Sequence, residues 1–455
     1  MGRRKPPEPE PDPASLHVVH PHAAAVDVHS DNHVACVGPD RVRTFAAYSA
    51  DLHALADWFT ENGVTSVVLE STGVYWIPLF ELLEARGFEV FLIEPSQASH
   101  CGARPKTDRL DCQWLQRLHT FGLLRPSFRP PDAVLALRGY WRQRQMLVRY
   151  ASHHVQHMQK ALEQMNLKLT EVVSSITGVT GTAIVAAILQ GERDPAKLAA
   201  LRHERCARSE AEIARALEGT WRPEHLFALE QAFALYQYLH RQIDDCDRRI
   251  EAELDRLPDR RDAEAATTPR PRRRGRKPND PRFDAAAKLA RALGVDVTAI
   301  EGIDAATATV ILAETGGDVS RFPSEKHFAS WLGLCPRTDR SNRTERRRTP
   351  RKGKNRVAQA LRMAAQAVGR TPTALGAFYR RIKSRIGGRG AITATAHKLS
   401  RLVYRMLRYG SDYVSQSLAE YESKLREKRE RALRRKAHAL GYELVAKGPQ
   451  VPGVT

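Results

Sequence analysis

The sequence predicts an α/β domain followed by a longer, mostly helical remainder. Between His17 and Phe128, short apolar runs alternate with helical segments, the pattern of a sheet covered by helices. From Leu135 onward, apolar residues recur at helical spacing. The chain has 455 residues, enough for roughly two to four domains with their own cores.

Composition narrows the partner. A net charge of +20 and a pI near 9.9 point to a polyanion, with nucleic acid first. An anionic membrane surface fits less well, because no basic amphipathic helix adjoins a lipid-anchor motif. No apolar run approaches the ~20 residues a helix needs to span a bilayer, so no membrane partner is expected. Arg3, Arg4 and Lys5 are followed by Pro-Glu-Pro-Asp-Pro where a signal peptide needs an apolar core. The six cysteines are scattered without a CxxC pair, which argues against a structural zinc site or a disulfide framework. The scattered cysteines fit a reducing cytosol.

Residues 1–16 are proline-rich and charged, and are expected to be disordered. Ala23–Val28 and Val34–Val37 read as two strands of a hairpin joined across His29–His33. Ala50–Asn62 reads as a helix stopped by Gly63, Val64–Glu70 as a strand, and Ile77–Arg86 as a helix closed by Gly87. Phe88–Glu94 is a further strand, ended by Pro95. Lys106-Thr107-Asp108-Arg109-Leu110-Asp111 opens the next helix.

From Leu137 to Leu169 the apolar residues step by alternating fours and threes. This a/d register predicts a coiled coil, or one long amphipathic helix packed on its own domain. Arg144 is the one charged position in the register, a device that can specify pairing. Ile176–Gly181 and Ile300–Asp304 each open an apolar helix followed by a polar turn and a second helix, Pro195–Leu201 and Pro323–Leu332. The two copies resemble a helix-hairpin-helix, in which a glycine turn offers backbone N–H groups to a phosphate. An ordinary αα-hairpin explains the same pattern, above all where Asp304 replaces the second glycine. Ser209–Leu257 is charged and helical.

Two segments are strongly basic. Pro258–Pro281 reads as a linker in which Arg272, Arg273 and Arg274 lie among prolines, either solvated or set against a nucleic-acid backbone. Arg337–Arg362 is denser and carries Arg340, Arg343, Arg347, Arg351, Lys352 and Lys354, opposed only by Asp339 and Glu345. A helix over Arg356–Val368 follows, then a second basic cluster from Tyr379 to Arg389. The charge-alternating stretch Glu420–Arg435 reads as a solvated or partner-packed extension.

Four acids are candidates for chemistry. Asp27 lies on the first strand and Glu70 ends a later one. Asp108 and Asp111 lie three apart on one face of a helix, where two carboxylates repel unless a cation intervenes. Singly, each is an ordinary surface or capping acid. Together they make an RNase H-like arrangement, which holds two divalent ions about 4 Å apart to activate the attacking and stabilise the leaving oxygen of a phosphodiester. Mg2+ (or Mn2+) suits hard carboxylate ligands.

The chain resembles the transposases of the insertion sequence 110 family over about residues 17–415. The resemblance rests on Val26-Asp27-Val28, Glu70-Ser71-Thr72-Gly73-Val74-Tyr75-Trp76, the Lys106–Asp111 segment and Gly191-Glu192-Arg193-Asp194-Pro195. It continues through Arg321-Phe322-Pro323, Trp331-Leu332-Gly333-Leu334-Cys335-Pro336 and Arg351-Lys352-Gly353-Lys354-Asn355. It implies a RuvC-like domain with a DEDD tetrad at Asp27, Glu70, Asp108 and Asp111, then a coiled coil, then a transposase domain with a nucleophilic serine at Ser341. Relatives carry a glycine, or a small residue and then glycine, after this serine. Here Asn342-Arg343 follows, with Thr338 and Thr344 as nearby hydroxyls. A serine nucleophile needs activation and positive charge around the phosphoryl group, which Arg340 and Arg343 are placed to supply.

The resulting division is a tail at 1–16, a RuvC-like DEDD domain at 17–134, and a coiled coil with helical insertion at 135–257. A basic linker at 258–282, a serine transposase domain at 283–415 and a charged helical tail at 416–455 complete it. The resemblance implies an RNA-guided DNA transposase or recombinase acting on donor and target DNA, with a structured bridge RNA and a homo-oligomer (dimer or tetramer). The rival readings are a metal nuclease of the junction-resolving type and a non-catalytic nucleic-acid-binding descendant of a transposase.

Overall fold

The run Ala23–Val28 forms β1, at the centre of a five-stranded sheet in the computed structural model. The structure describes residues 17–95, 97, 107–261, 279–335, 337–341, 344–348, 355–410 and 418–443. β2 (Asn32–Cys36) returns antiparallel beside β1, and β3 (Val42–Ala46) runs antiparallel beside β2. After α1 (Ser49–Glu61), β4 (Ser66–Glu70) lies parallel on the other side of β1. After α2 (Trp76–Ala85), β5 (Glu89–Ile93) extends the sheet in parallel, giving the order β3-β2-β1-β4-β5. That order, with a hairpin on one side and parallel strands on the other, is RNase H-like. The sequence reading missed β3. It is an edge strand whose Arg43 and Thr44 are exposed and whose one buried residue is Phe45, so it lacks an apolar run.

Side chains alternate between the two sheet faces. Ala24, Val26 and Val28 of β1 and Leu69 of β4 join Phe59 of α1 and Leu83 of α2 in one core. Ala25 and Val68 join Cys112, Leu115 and Leu118 of α3 (Asp108–Thr120) in a second core on the opposite face. α3 therefore covers the face opposite α1 and α2, and its first turn is brought to the ends of β1 and β4.

The chain divides into two compact units at Arg129–Pro130. In the second, α4 (Leu135–Gln164) is followed by α5 (Leu169–Val172), α6 (Val179–Leu189), α7 (Pro195–Ala199), α8 (Glu210–Ala216) and α9 (Pro223–Arg256). α4 and α9 pair antiparallel. Arg249 of α9 lies over the Tyr140 ring near the start of α4, and Met158 and Leu162 near its end share a core with Leu229 and Phe233. The heptad seam is thus covered by a helix of the same chain. Arg144 sets its register: fully buried, it donates to Asp247 of α9 (2.5 and 3.3 Å) and to the Asn279 carbonyl (3.1 Å). The periodicity runs past the helix, which stops at Gln164. Asn166 turns back with φ 57°, and the Thr220 N–H binds the Met165 carbonyl at 2.9 Å.

α10 (Ala285–Leu293), α11 (Ala305–Thr315) and α12 (Glu325–Trp331) follow, then the hairpin β6 (Arg337–Ser341) and β7 (Thr344–Arg348), and α13 (Arg356–Val368), α14 (Ala374–Tyr409) and α15 (Leu418–Ala439). The two helix-hairpin-helix-like copies are α6–α7 and α11–α12. In the second copy the Asp304 carboxylate accepts the Thr307 N–H at 2.9 Å, so a side chain already caps the helix where a phosphate would sit. Gly302, with φ 86°, leaves no room for a side chain: an added Cβ would run into the Val368 methyl. The β6–β7 hairpin lies in the stretch that the sequence marks only as densely basic. Seven charged residues among its ten strand positions hide its β character, since Asp and, to a lesser degree, Glu are depleted in strands and no apolar alternation marks the face.

Candidate active site

Asp27 and Glu70 are placed by strand register. Val26 pairs with Leu69 across the parallel β1–β4 junction, and Asp27 and Glu70 stand one residue beyond that pair. Ala25 and Val68, two residues earlier on each strand, face the α3 side of the sheet. With a period of two, Asp27 and Glu70 belong to the same face. Thr107 caps α3 by accepting the Leu110 N–H at 3.3 Å, so neither Asp108 nor Asp111 is consumed as the cap. Both sit in the first turn, where the helix dipole favours negative charge. Cys112 and Leu115, four residues beyond Asp108 and Asp111, turn into the sheet core and carry the acid face toward β1.

The structure brings Asp27 and Asp108 together around a residue the sequence reading passed over. His29 Nε2 lies 3.3 Å from Asp27 Oδ2 and 3.9 Å from Asp108 Oδ2. One ligand atom from each of Asp27, His29 and Asp108 falls within 4.8 Å of the others. Asp111 adds its charge to Asp27 from the next turn. Glu70 is adjacent by register but outside that trio. Burial pushes the Asp27 carboxyl up from the usual carboxylate range; His29 pulls it down, and Asp108 and Asp111 push it up again. Asp27 thus carries the repulsion of two further acids, which a cation would relieve.

The donor set fits a divalent ion. Opposite ligands of Mg2+ stand about 4 Å apart, near the spread of the trio. His29 Nε2 is shielded from solvent and has no aligned hydrogen-bond partner, as expected of a nitrogen aimed at a metal. An imidazole beside two carboxylates also suits Mn2+. The signal for His29 was its place, one residue past the end of β1 and two past Asp27, in a stretch read only as a connection.

Ser341 is the last residue of β6 and pairs in register with Thr344, the first of β7. Arg340 pairs with Glu345 and Thr338 with Arg347 along the same ladder. For these strands the description is of the backbone. Arg343, Arg351, Lys352, Lys354, Arg272, Arg273 and Arg274 lie outside the described residues. The acids belong to the first unit and Ser341 to the second.

Two family models match the chain in order. One, described as Transposase and built on the DEDD transposases of IS110, covers residues 24–167. The other, described as Transposase IS116/IS110/IS902 family, covers residues 296–380. The first match includes the four acids and His29, and the second includes Ser341. A stretch of 130 residues is 31% identical to the "Insertion element IS110 uncharacterized 43.6 kDa protein" of Streptomyces coelicolor. That match takes in 28% of this chain and 31% of the relative, so it spans about a third of the relative's length. Among the described residues, no helix is long and apolar enough to cross a membrane. With both of its family models matched in sequence order on an RNase H-like sheet, the chain belongs to the IS110 transposase family.

Proposed function

We propose that this chain is an RNA-guided DNA transposase that cuts and rejoins DNA through a serine–phosphate link. The observation that carries the reading is the convergence of Asp27, Asp108 and His29 at the edge of the sheet, in a chain whose other family segment holds Ser341. Asp27, Glu70, Asp108 and Asp111 hold Mg2+ or Mn2+. A bound divalent ion supplies charge neutralisation and Lewis acidity at the scissile phosphate. Ser341 Oγ attacks phosphorus and loses its proton; the bond to the leaving oxygen breaks, and that oxygen takes up a proton. A hydroxyl of the second strand then attacks the phosphoserine and releases the serine. The ester conserves the bond energy, so rejoining needs no outside source.

Arg340, Arg343, Arg347, Arg351, Lys352 and Lys354 gather charge around the phosphate, and Arg272, Arg273 and Arg274 contact the backbone of DNA or the bridge RNA. Donor and target DNA, the RNA and further copies of the chain are the partners. A second reading, a junction-resolving metal nuclease with Ser341 as a phosphate ligand, draws support from Asn342-Arg343, which replaces the small residue or glycine usual after the serine.

A denaturing gel separates the two. Protein incubated with Mg2+, RNA and labelled donor and target DNA should give a slow, protease-sensitive band. Ser341→Ala should bind both nucleic acids and give no band and no recombinant. Asp27→Asn should give neither band nor cutting. Cutting by wild type without a band, even with religation blocked, would favour the nuclease. The same band from Ser341→Ala would move the nucleophile to Thr338 or Thr344.

A further inference from the structure

A cavity of about 360 Å³ opens between α4, α11 and α13 in the second unit. Its polar lining is Trp141, Arg144, Gln145 and Arg149 from α4, with Asn279 and, from α13, Arg356 and Gln359. Every one of these side chains carries N–H donors, and no carboxylate lines the space among the described residues. The positive charge around it is under-neutralised. Arg144 is satisfied by Asp247, but Glu314 is shared among Arg138 at 3.1 Å, Arg142 at 2.8 Å and Arg356 at 3.9 Å. Arg149 is exposed and makes no ion pair among the described residues. Burial, with Arg142 and Arg149 close by, holds the Arg356 guanidinium below its ordinary proton affinity.

Trp141, only 3% exposed, contributes to the wall of the opening. The chain itself indicates which anion arrives. The cavity residue Asn279 comes two positions after Lys277, the end of one basic stretch, and Arg356 comes two positions after Lys354, in the other. Both neighbouring stretches of sequence are basic, so the anion expected here is the one the charge of the chain favours, a nucleic-acid backbone.

We infer that the cavity is a phosphodiester-binding site, in which Arg149, Arg356 and Gln359 hold a backbone phosphate of a nucleic-acid strand. The site deepens the nucleic-acid reading proposed above and rests on it. Its volume accommodates a phosphate with its attached sugar, within the ordinary range of small-ligand pockets. It uses none of the residues assigned to cutting, so it anchors a strand rather than reacting with it.

The test is binding of the full chain to a labelled duplex DNA and, separately, to a labelled RNA hairpin, across a salt series. Arg149→Ala and Arg356→Ala should each weaken binding roughly five- to ten-fold at 0.1 M salt and flatten the slope of log K against log salt by about 0.9 on duplex DNA. Gln359→Leu, checked for fold by circular dichroism, should weaken binding with the slope unchanged, because it removes an N–H donor and no charge. Arg215→Ala on α8, outside the cavity, should leave both measures alone. The probe whose slope changes identifies the strand that is held. Wild-type binding matched in affinity and slope by both cavity arginine variants would overturn the site and leave the transposase reading standing. So would an equal loss from Arg215→Ala. Failure of wild type to bind either probe would overturn both.

Discussion

If the acids hold a metal as proposed, His29 bears on which ion they would accept. Four carboxylates alone would suit Mg2+ and its waters. An imidazole nitrogen 3.3 Å from Asp27 and 3.9 Å from Asp108 adds a borderline ligand, which Mn2+ accepts more readily than Mg2+. His29→Ala should weaken Mn2+ binding about ten-fold or more in calorimetric titration, a loss typical of groups that build a metal site. It should weaken Mg2+ binding less, so that the Mn2+ preference narrows. Equal losses for both ions would make His29 a group that only orients the carboxylates. Arg144 shows the other use of a buried charge. It spends its donors on Asp247 and a backbone carbonyl, and so fixes how α4 and α9 slide against each other.

At the scale of elements, α3 is held by both ends. Its first turn carries the acids, and its last turn carries His119, only 1% exposed, with Nε2 2.6 Å from the Ser66 hydroxyl of β4 and its ring stacked on His20. Burial, reinforced by His20, pushes the His119 pKa down to about 4 from 6.5. The sign follows from which state takes the proton first. As pH falls through 6.5 the unfolded chain protonates this histidine while the folded one does not, so stability drops until pH 4 and then levels. The contribution is complete above pH 6.5 and amounts to roughly 3 kcal/mol. Urea unfolding between pH 4 and 7 should show it. His119→Gln should remove about 1.4 kcal/mol per pH unit from the slope in that window. An unaltered slope would mean that His119 is solvated enough to titrate normally.

The same elements show what could be read before the structure. Four of the five strands and the helices between them carry apolar runs or periodicity, and were legible. β3 was hidden because an edge strand with one buried residue has no pattern to detect. The β6–β7 hairpin was hidden beneath its charge. Asp27 and Asp108, which the structure brings together, stand out by residue type and order, whereas His29 does not. Its place beside them depends on β1 ending where α3 begins, a tertiary fact that neither local sequence carries. The heptads of α4 were legible as a seam, but their partner was not, since periodicity names a buried face without naming what buries it.

At the scale of the whole molecule, that last point moves the question of assembly. With the α4 seam covered by α9 of the same chain, a homo-oligomer has to form through other surfaces, and charges introduced at Leu162 would damage the monomer core instead. The proposed chemistry gives a direct test of whether subunits share a site. The acids lie on one compact unit and Ser341 on the other, so one reaction centre can draw them from one chain or from two. Asp27→Asn and Ser341→Ala are each expected to give no adduct alone. If the metal site of one subunit serves the serine of another, mixing the two proteins rebuilds one intact centre in every mixed pair. Statistical mixing in a two-fold symmetric dimer then restores on the order of a quarter of the wild-type adduct. The rebuilt adduct must sit on the Asp27→Asn chain, because only that chain has the serine, and a size tag on one protein reads this from the gel. No adduct from the mixture, with subunit exchange verified by light scattering or by co-purification of the tag, would place both halves of the centre in the same chain.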